Sequence, residues 1–266
     1  MIPFLKNLRA EFLKTKRTSA FWIAFLGAGF IPFILLIAML AKSKNFMAQM
    51  NNPEIGNAWT SFMNNNWQVT AAFLMPMVVI CCSSLIAQIE VKNNAWKQVF
   101  ATPISVTNIF FSKFLVVLCM VALYFILFII FCSLTPLIAN TFFKGYPFFK
   151  TSYDILYQIK YATHFFILLL PIMALQFWLS MRFKNFMASI GLGIILLIGS
   201  ITAVGMGWDK AYLLPYSHTM QIQLFSRLNS GVNNVDKRNT IYIASAVYSV
   251  LFTLAGYIDT LFKKER

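Results

Sequence analysis

Residues 176–200 read QFWLSMRFKNFMASIGLGIILLIGS, and here two apolar runs flank the short basic segment Met181–Asn185. A run of about 20 apolar residues is long enough for a helix to cross a hydrocarbon core roughly 30 Å thick. The segment between the two runs is too short to hold a domain. Arg182 and Lys184 therefore predict a tight hairpin that joins two membrane-spanning helices at one membrane surface.

The composition of the whole chain agrees with this prediction. Hydrophobic residues make up 59% of the 266 residues and charged residues 11%, whereas soluble domains carry about 25% charged residues. The mean hydropathy is +0.69. The net charge of +14 comes from basic residues in short segments beside apolar runs, which is typical of topology signals and contact with anionic lipid rather than of nucleic-acid binding. We predict an integral membrane protein that contacts membrane lipids and no nucleic acid.

Apolar runs predict an all-α polytopic fold with six transmembrane helices in a single membrane domain over residues 1–266. The first run is longer than the apolar core of a cleaved signal peptide, so it is expected to remain as a helix. The segments 42–67 and 140–160 are expected to be loops. The predicted spans cover about 20–41, 68–89, 108–139, 161–181, 186–207 and 239–262.

The N-terminal segment 2–17 predicts an amphipathic helix that lies in the membrane interface. Leu5, Leu8 and Phe12 recur at helical spacing on one face, and Asn7 and Glu11 fall on the other. An ordinary basic flank without this role is the alternative.

The basic residues also predict the orientation of the chain. Thirteen Lys and Arg residues fall in segments on the side of the termini and nine on the other side, mostly in its longer loops. Cytoplasmic segments carry the excess of basic residues, so we expect both termini in the cytoplasm. The segment 89–105 then lies in the cytoplasm, where its partly apolar face predicts a short helix over about 91–101 that stops before Pro103.

Catalytic signatures are missing from the sequence. It contains no G-x-x-x-x-G-K-[ST] phosphate loop, no H-E-x-x-H and no G-x-S-x-G. His164 is expected at the interface or facing the bundle, and His218 in a loop. The four cysteines fall in apolar runs as small hydrophobes. We predict no catalytic, cofactor-binding or metal site, and therefore no enzymatic activity in this chain.

Small residues crowd the fifth span. Ser189 and Gly193, and likewise Gly199 and Ala203, have the spacing that lets helices approach closely. Together with Gly191 they predict helix packing within one bundle, or else a subunit interface or moving helix beside a pathway. Ionisable residues deep in the spans, which mark ion-driven transporters, are nearly absent, and this favours a machine driven by a partner.

Three stretches of the sequence carry a family resemblance: LRAEFLKTKRTSAFWI (8–23), IEVKNNAWKQVFATPIS (89–105) and QFWLSMRFKNFMASIGLGI (176–194). The third stretch is the most characteristic, and its matching residues are Leu179, Ser180, Arg182, Phe183, Asn185 and Gly193. Taken together, the stretches resemble the ABC-2 type permeases, most closely the lantibiotic-immunity branch that includes bacteriocin self-protection permeases.

This resemblance implies a six-helix permease that pairs with a second permease chain, identical or a sister subunit. It implies two copies of a separate ABC ATPase, which would bind ATP and Mg. The N-terminal segment would be an elbow helix, and 208–238 would hold re-entrant external helices. Span five would lie near both the dimer interface and the pathway. A cytoplasmic coupling helix would dock into the ATPase through Glu90, Lys92, Trp96, Lys97, Phe100 and Pro103.

The expected function is export of a hydrophobic or amphipathic substrate, such as a bacteriocin-like peptide, across the bacterial cytoplasmic (inner) membrane. A membrane scaffold or assembly subunit that transports nothing is the alternative. An intramembrane enzyme is a third class, but the sequence offers it no nucleophile–base pair and no metal set.

Overall fold

The computed structural model describes residues 2–16, 18–52, 54, 56–89, 104–183, 185–227 and 232–264. Across these residues the chain forms α-helices joined by short 3-10 turns, as an all-α membrane fold requires. The α-helices are α1 (Ile2–Thr15), α2 (Ser19–Ala41), α3 (Ser43–Met50), α4 (Ala58–Ala72), α5 (Leu74–Ala87), α6 (Val106–Phe142), α7 (Ile155–Arg182), α8 (Phe186–Gly205), α9 (His218–Arg227) and α10 (Val232–Lys264).

Side-chain contacts between distant parts of the chain define the two ends of the bundle. At one end, α1 meets the start of α6 where the Asn7 side chain donates to Ser112 Oγ at 2.6 Å, and Arg182 pairs with Asp259 of α10. We call this the terminal end, because α1 and the last turns of α10 lie there. At the opposite end, Trp59 Nε1 donates to the carbonyl of Phe148 at 2.9 Å. We call this the far end.

Within the described part of the chain, five helices are long and apolar enough to cross a membrane, namely α2, α6, α7, α8 and residues 237–262 of α10. Helices α4 and α5 form a sixth pass that is bent by 54°. The Asn57 side chain before α4 bonds Ser152 at the far end, and Gln88 after α5 bonds the carbonyl of Phe183 at the terminal end. The predicted six passes are therefore confirmed.

The second pass differs from its prediction, which was a single helix over 68–89 after a loop over 42–67. Helix α3 and the first part of α4 occupy that loop, and the pass breaks at Phe73. Pro76 lacks the N–H that the carbonyl of Ala72 would accept in a continuous helix, so the chain turns there. Upstream of the break, α4 extends through Asn-rich sequence because it buries Trp59 and Trp67 against the bundle.

Helix α6 begins and ends close to its predicted bounds. Ser105 Oγ accepts from the Asn108 N–H at its start. Its 37 residues span about 55 Å at 1.5 Å per residue, which exceeds the roughly 30 Å membrane core. The helix therefore extends beyond the membrane or crosses it at a tilt.

Helix α7 starts six residues before the predicted position 161. Asp154 Oδ1 accepts from the Tyr157 N–H at 3.0 Å and so satisfies one of the free amides of the first turn. The hairpin that follows matches the prediction. Asn185 Oδ1 accepts from the Met187 N–H at 2.9 Å, which caps α8 directly after α7 has ended.

The chain between α8 and α10 re-enters the bundle before it leaves again. Two 3-10 turns, Ala211–Leu213 and Pro215–Ser217, lead inward, and α9 leads back out. The Thr219 hydroxyl donates to the carbonyl of Ala71 at 2.7 Å. This segment matches the expected re-entrant helices, but the loop position expected for His218 is wrong. His218 is buried, and its Nδ1 lies 2.7 Å from Ser245 Oγ of α10.

The N-terminal helix forms as predicted, with its faces used differently. Its apolar side chains Leu5 and Leu13 are mostly exposed, whereas Glu11 and Thr15 are buried against the bundle. In a membrane the outer surface meets lipid, so the apolar face turns outward and the polar groups find partners inside the protein.

Candidate functional site

A buried cluster of polar side chains joins three helices in the half of the bundle nearer the terminal end. We call it the Gln176 cluster: Ser84 of α5, Gln176 and Ser180 of α7, Ser189 of α8, and Tyr216 of the re-entrant segment. Gln176 Nε2 donates to Ser84 Oγ at 2.9 Å and to the carbonyl of Ser189 at 2.8 Å. It also lies 3.1 Å from Ser189 Oγ.

The other members close the network. Ser180 Oγ bonds both Ser84 Oγ, at 3.1 Å, and Ser189 Oγ. The Tyr216 hydroxyl donates to Gln176 Oε1 at 3.3 Å. All five side chains are buried. In a low-dielectric interior an unpaired polar group is costly, so α5, α7 and α8 cannot separate here without breaking several bonds or admitting water.

The predicted small residues of the fifth span divide between two surfaces of α8. A Cβ atom placed on Gly193 would lie 2.6 Å from Gln176 Oε1 and 2.8 Å from Ile80 Cγ2. A Cβ atom placed on Gly191 or Gly199 would meet no atom within 4 Å. Gly199 is exposed and Ala203 is half-buried. Gly193 thus allows α8 to approach the Gln176 cluster, while Gly199 faces away from the chain.

A buried ion pair fixes the N-terminal helix at the terminal end. Glu11 Oε2 lies 2.7 Å from Lys113 Nζ of α6, and both side chains are almost wholly buried. Glu11 Oε1 lies 2.6 Å from Lys14 Nζ, whose side chain is partly exposed. Burial raises the pKa of Glu11, but the ammonium groups of Lys113 and Lys14 outweigh it and hold the pKa below its usual value. The carboxylate is therefore charged at neutral pH.

The hairpin residue Arg182 ties α7 to the last helix. Its guanidinium donates to Asp259 Oδ1 at 2.7 Å. Two residues earlier on α10, the Tyr257 hydroxyl lies 2.8 Å from Thr107 Oγ1 at the start of α6. These contacts place α6, α7 and α10 together at the terminal end. Lys184, the second basic residue of the hairpin, lies outside the described residues.

The residues predicted to couple the chain to an ATPase all lie outside the described residues: Glu90, Lys92, Trp96, Lys97, Phe100 and Pro103. The structure does describe both flanks of this segment. Gln88 contacts the carbonyl of Phe183 just after α5 ends, and Ser105 caps the start of α6. Both flanks of the segment therefore lie at the terminal end.

Sequence reasoning missed most of the Gln176 cluster. The available signal was a pair of polar residues four positions apart in an apolar span, at Gln176 and Ser180 and again at Ser84 and Gln88. Such spacing places both residues on one helix face, which must then be buried against another polar face. Tyr216 carried no such signal, because it depends on how the chain re-enters the bundle.

The chemistry of these residues is that of hydrogen bonding and ion pairing. The four cysteines are free thiols in or beside the core. Among the described residues no group of three His, Cys, Asp or Glu side chains could hold a metal ion. The Gln176 cluster holds hydroxyl and amide groups, which bind and position but supply no strong acid or base at neutral pH.

One comparison with known proteins identifies a family. A family model described as ABC-2 family transporter protein matches residues 7–200, from α1 through most of α8. The match includes the Glu11–Lys113 pair and all members of the Gln176 cluster except Tyr216. No curated protein and no solved structure matches the chain.

Proposed function

The chain belongs to the ABC-2 transporter family, and from this premise we propose that it is the membrane-spanning permease subunit of an ATP-binding-cassette exporter. The observation that carries the proposal is the family match over residues 7–200, on a chain that crosses the membrane six times. A buried polar network between helices supports it further, because polar contacts inside a membrane bundle mark places where helices are held in one arrangement.

The energy for transport would come from another protein. The sequence contains no phosphate loop, so ATP and Mg would bind to a separate ABC ATPase, present in two copies. The segment from Glu90 to Pro103 is the proposed docking element. Its support is the position of its flanks at the terminal end, together with the presence of two large aromatic residues, Trp96 and Phe100, in an otherwise largely polar segment.

A second permease chain, identical or a sister subunit, would complete the transporter. The outer surface of α8 supports this, because a Cβ atom on the exposed Gly199 would meet no atom of the described chain within 4 Å, and Ala203 one turn later is only half-buried. Small residues on an outward face permit close approach of a helix from another subunit. Span five would then contact the partner on one side and the Gln176 cluster on the other.

The proposed location is the bacterial cytoplasmic (inner) membrane, with both termini in the cytoplasm. The excess of basic residues on the terminal side supports this orientation. The proposed substrate is hydrophobic or amphipathic, for example a bacteriocin-like peptide. The support for this substrate class is the resemblance of the three sequence stretches to immunity permeases.

The proposal is tested by affinity purification of the tagged chain from its native membranes in mild detergent. We expect an ATPase with a phosphate loop to co-purify. In Trp96→Ala/Phe100→Ala the ATPase should be lost, because truncation of one buried aromatic anchor costs about 2 kcal/mol, roughly 30-fold in affinity. Trp208→Ala is the matched control, since Trp208 is half-exposed beyond the end of α8 at the far end.

Two results would contradict this account. No ATPase with the wild-type chain would favour the alternative of a membrane scaffold that transports nothing. Full retention of the ATPase by the double variant, at matched expression and membrane insertion, would place the docking surface elsewhere, with the N-terminal helix as the next candidate.

A further inference from the structure

Two adjoining cavities at the far end differ sharply in their chemistry. The first, of about 290 Å³, lies between α7, α9 and α10 and is lined by cationic and aromatic side chains. The second, of about 730 Å³, lies between α3, α4 and α7 and is lined mainly by amides and hydroxyls. Tyr157, Tyr161 and Gln223 line both, so the cavities adjoin along one wall.

The first cavity concentrates positive charge. Lys160 of α7 and Arg238 of α10 line it from different helices. Among the described residues that line it none is acidic, and neither cation forms an ion pair within the described part of the chain. Two cations that face one cavity repel each other, and an anion bound between them would relieve the repulsion.

The remaining walls of this cavity offer hydrogen bonds in fixed positions. The Tyr242 hydroxyl lies 3.1 Å from His164 Nδ1, which orients both side chains. The rings of Tyr157 and Tyr161 pack with centroids 4.8 Å apart. Arg238 supplies a planar fork of donors and Lys160 a mobile point charge, and this combination suits the tetrahedral oxygens of a phosphate.

The second cavity is suited to a neutral polar group. Thr60, Ser61, Asn64, Asn65 and Gln68 of α4 line it, and none of them carries a charge. The Tyr157 hydroxyl donates to Asn64 Oδ1 at 3.4 Å on the wall between the two cavities. Amides and hydroxyls both donate and accept hydrogen bonds, so they match the hydroxyl groups of a polyol.

We propose that the two cavities form one binding site for a phosphate ester of a polyol, with the phosphate between Lys160 and Arg238 and the hydroxyl groups against the polar side chains of α4. A soluble sugar or glycerol phosphate has this chemistry, and so does the head group of phosphatidylglycerol. The leucine and isoleucine side chains exposed beside the cavity at the start of α7, Ile155, Leu156 and Ile159, place it at a depth that a lipid head group reaches. This site does not depend on the proposed permease function.

The first arm of the test uses the purified full chain in an uncharged detergent, titrated with glycerol 3-phosphate, inorganic phosphate and glycerol. We expect glycerol 3-phosphate to bind, and Lys160→Gln/Arg238→Gln to weaken it by about tenfold or more through loss of charge-assisted hydrogen bonds. Lys144→Gln/Lys150→Gln is the matched control, because these exposed lysines lie at the same end, outside both cavities, and the charge change is equal.

A single substitution tests the neutral half of the site. Asn65→Ala should weaken glycerol 3-phosphate and leave inorganic phosphate unchanged. Equal affinity of the wild-type chain for the two probes would overturn the polyol part of the proposal. The melting temperature of each variant without ligand shows that the variant is folded.

The second arm separates the two sources of the ligand. The wild-type chain and both double variants are placed in nanodiscs of phosphatidylcholine with or without phosphatidylglycerol, and bound lipid is measured by native mass spectrometry. If glycerol 3-phosphate fails to bind but phosphatidylglycerol is retained by the wild-type chain and the control and lost from Lys160→Gln/Arg238→Gln, the ligand is the lipid head group. Failure of both probes, or equal binding by the two double variants, would overturn the site.

Discussion

Different kinds of contact hold the helices together at the two ends of the bundle. At the terminal end the pairs Glu11–Lys113 and Arg182–Asp259 join helices that are distant in sequence. At the far end the corresponding contacts are neutral: Trp59 donates to the carbonyl of Phe148, and the Tyr146 hydroxyl donates to the carbonyl of Met39. Charged pairs are thus found at the end where both flanks of the predicted coupling segment lie. The two cavities lie at the far end, where the described residues form no such pair.

This difference indicates how each end responds to change. Burial of an ion pair costs desolvation energy, which the attraction between the two charges offsets. When one partner is removed, the remaining buried charge keeps its desolvation cost without this attraction. A neutral hydrogen bond from an aromatic side chain costs less to break, because no charge is left uncompensated. We therefore expect the terminal end to behave as one rigid unit, able to transmit a movement of the docking segment, and the far end to adapt to a ligand.

The largest expected effect is that of removing the buried carboxylate. Glu11→Gln leaves the ammonium group of Lys113 buried without this counter-charge, so the free energy of unfolding should fall by about 3–5 kcal/mol. The measurement is unfolding in mixed micelles. Lys14→Gln is the control and should cost about 0–1 kcal/mol, since its side chain is 40% exposed. Recovery of stability in Glu11→Gln/Lys113→Met would confirm the reason, and an unaffected Glu11→Gln would show that α1 is not fixed by this pair.

Acidification should separate the contribution of a buried histidine to stability from that of the Glu11 carboxylate. Burial lowers the pKa of His218 to about 4 from 6.5, and the Nε2 atom has no hydrogen-bond partner among the described residues. Because the folded pKa lies below the unfolded one, the unfolded chain binds the proton first. The contribution of His218 to the free energy of unfolding is therefore fully present above pH 6.5 and is lost as the pH falls towards 4. The loss is on the order of 3 kcal/mol for a pKa shift of this size.

The melting temperature between pH 7.5 and 4 measures this loss, and His218→Asn should remove most of it. The Glu11 carboxylate acts in a lower window. Its pKa is depressed below 4.5, so its contribution is present above pH 4.5 and is lost only as the pH falls through the folded pKa. A wild-type loss above pH 4.5 that persists in His218→Asn would contradict the assignment to His218.

Two glycines of α8 provide a smaller test of the same contrast along one helix. Gly193→Ala places a methyl group against Gln176 and Ile80, and overpacking of this kind costs about 1–3 kcal/mol. Gly199→Ala meets open space within the chain and should gain up to about 1 kcal/mol from helix propensity. Unfolding of both variants is compared with the wild type. If Gly199→Ala leaves the monomer stable but dissolves a dimer on size-exclusion chromatography, the outer face of α8 is a subunit interface.

The passes could be predicted from the sequence wherever the apolar run was unbroken. The run before Lys42 and the run after Asn185 gave α2 and α8 within two residues, because length and hydropathy alone decide a lipid-exposed helix. The break at Phe73 could not be found in this way. Pro76 was visible, but whether it bends a helix or is tolerated depends on neighbours that the sequence does not place.

The candidate site was less predictable than the fold. The hairpin at Met181–Asn185 was predicted from its length and its basic residues, and the Asn185 cap follows from local chemistry. The Glu11–Lys113 pair joins residues 102 positions apart, and amphipathicity alone assigned Glu11 to the solvent-facing side. His218 was misplaced for the same reason, since only the re-entrant path of the chain buries it against Ser245. Long-range pairing of single polar residues leaves no periodic pattern to read.

We propose that the terminal end binds an ATPase inside the cell and that the far end does not. A photo-crosslinking amino acid placed at Ser105, beside the predicted coupling segment, or at Lys144, exposed at the far end, tests it in native cells. We expect a crosslink to an ATP-binding subunit from Ser105 and none from Lys144. A crosslink to that subunit from Lys144, or from neither position while the complex still co-purifies, would contradict it.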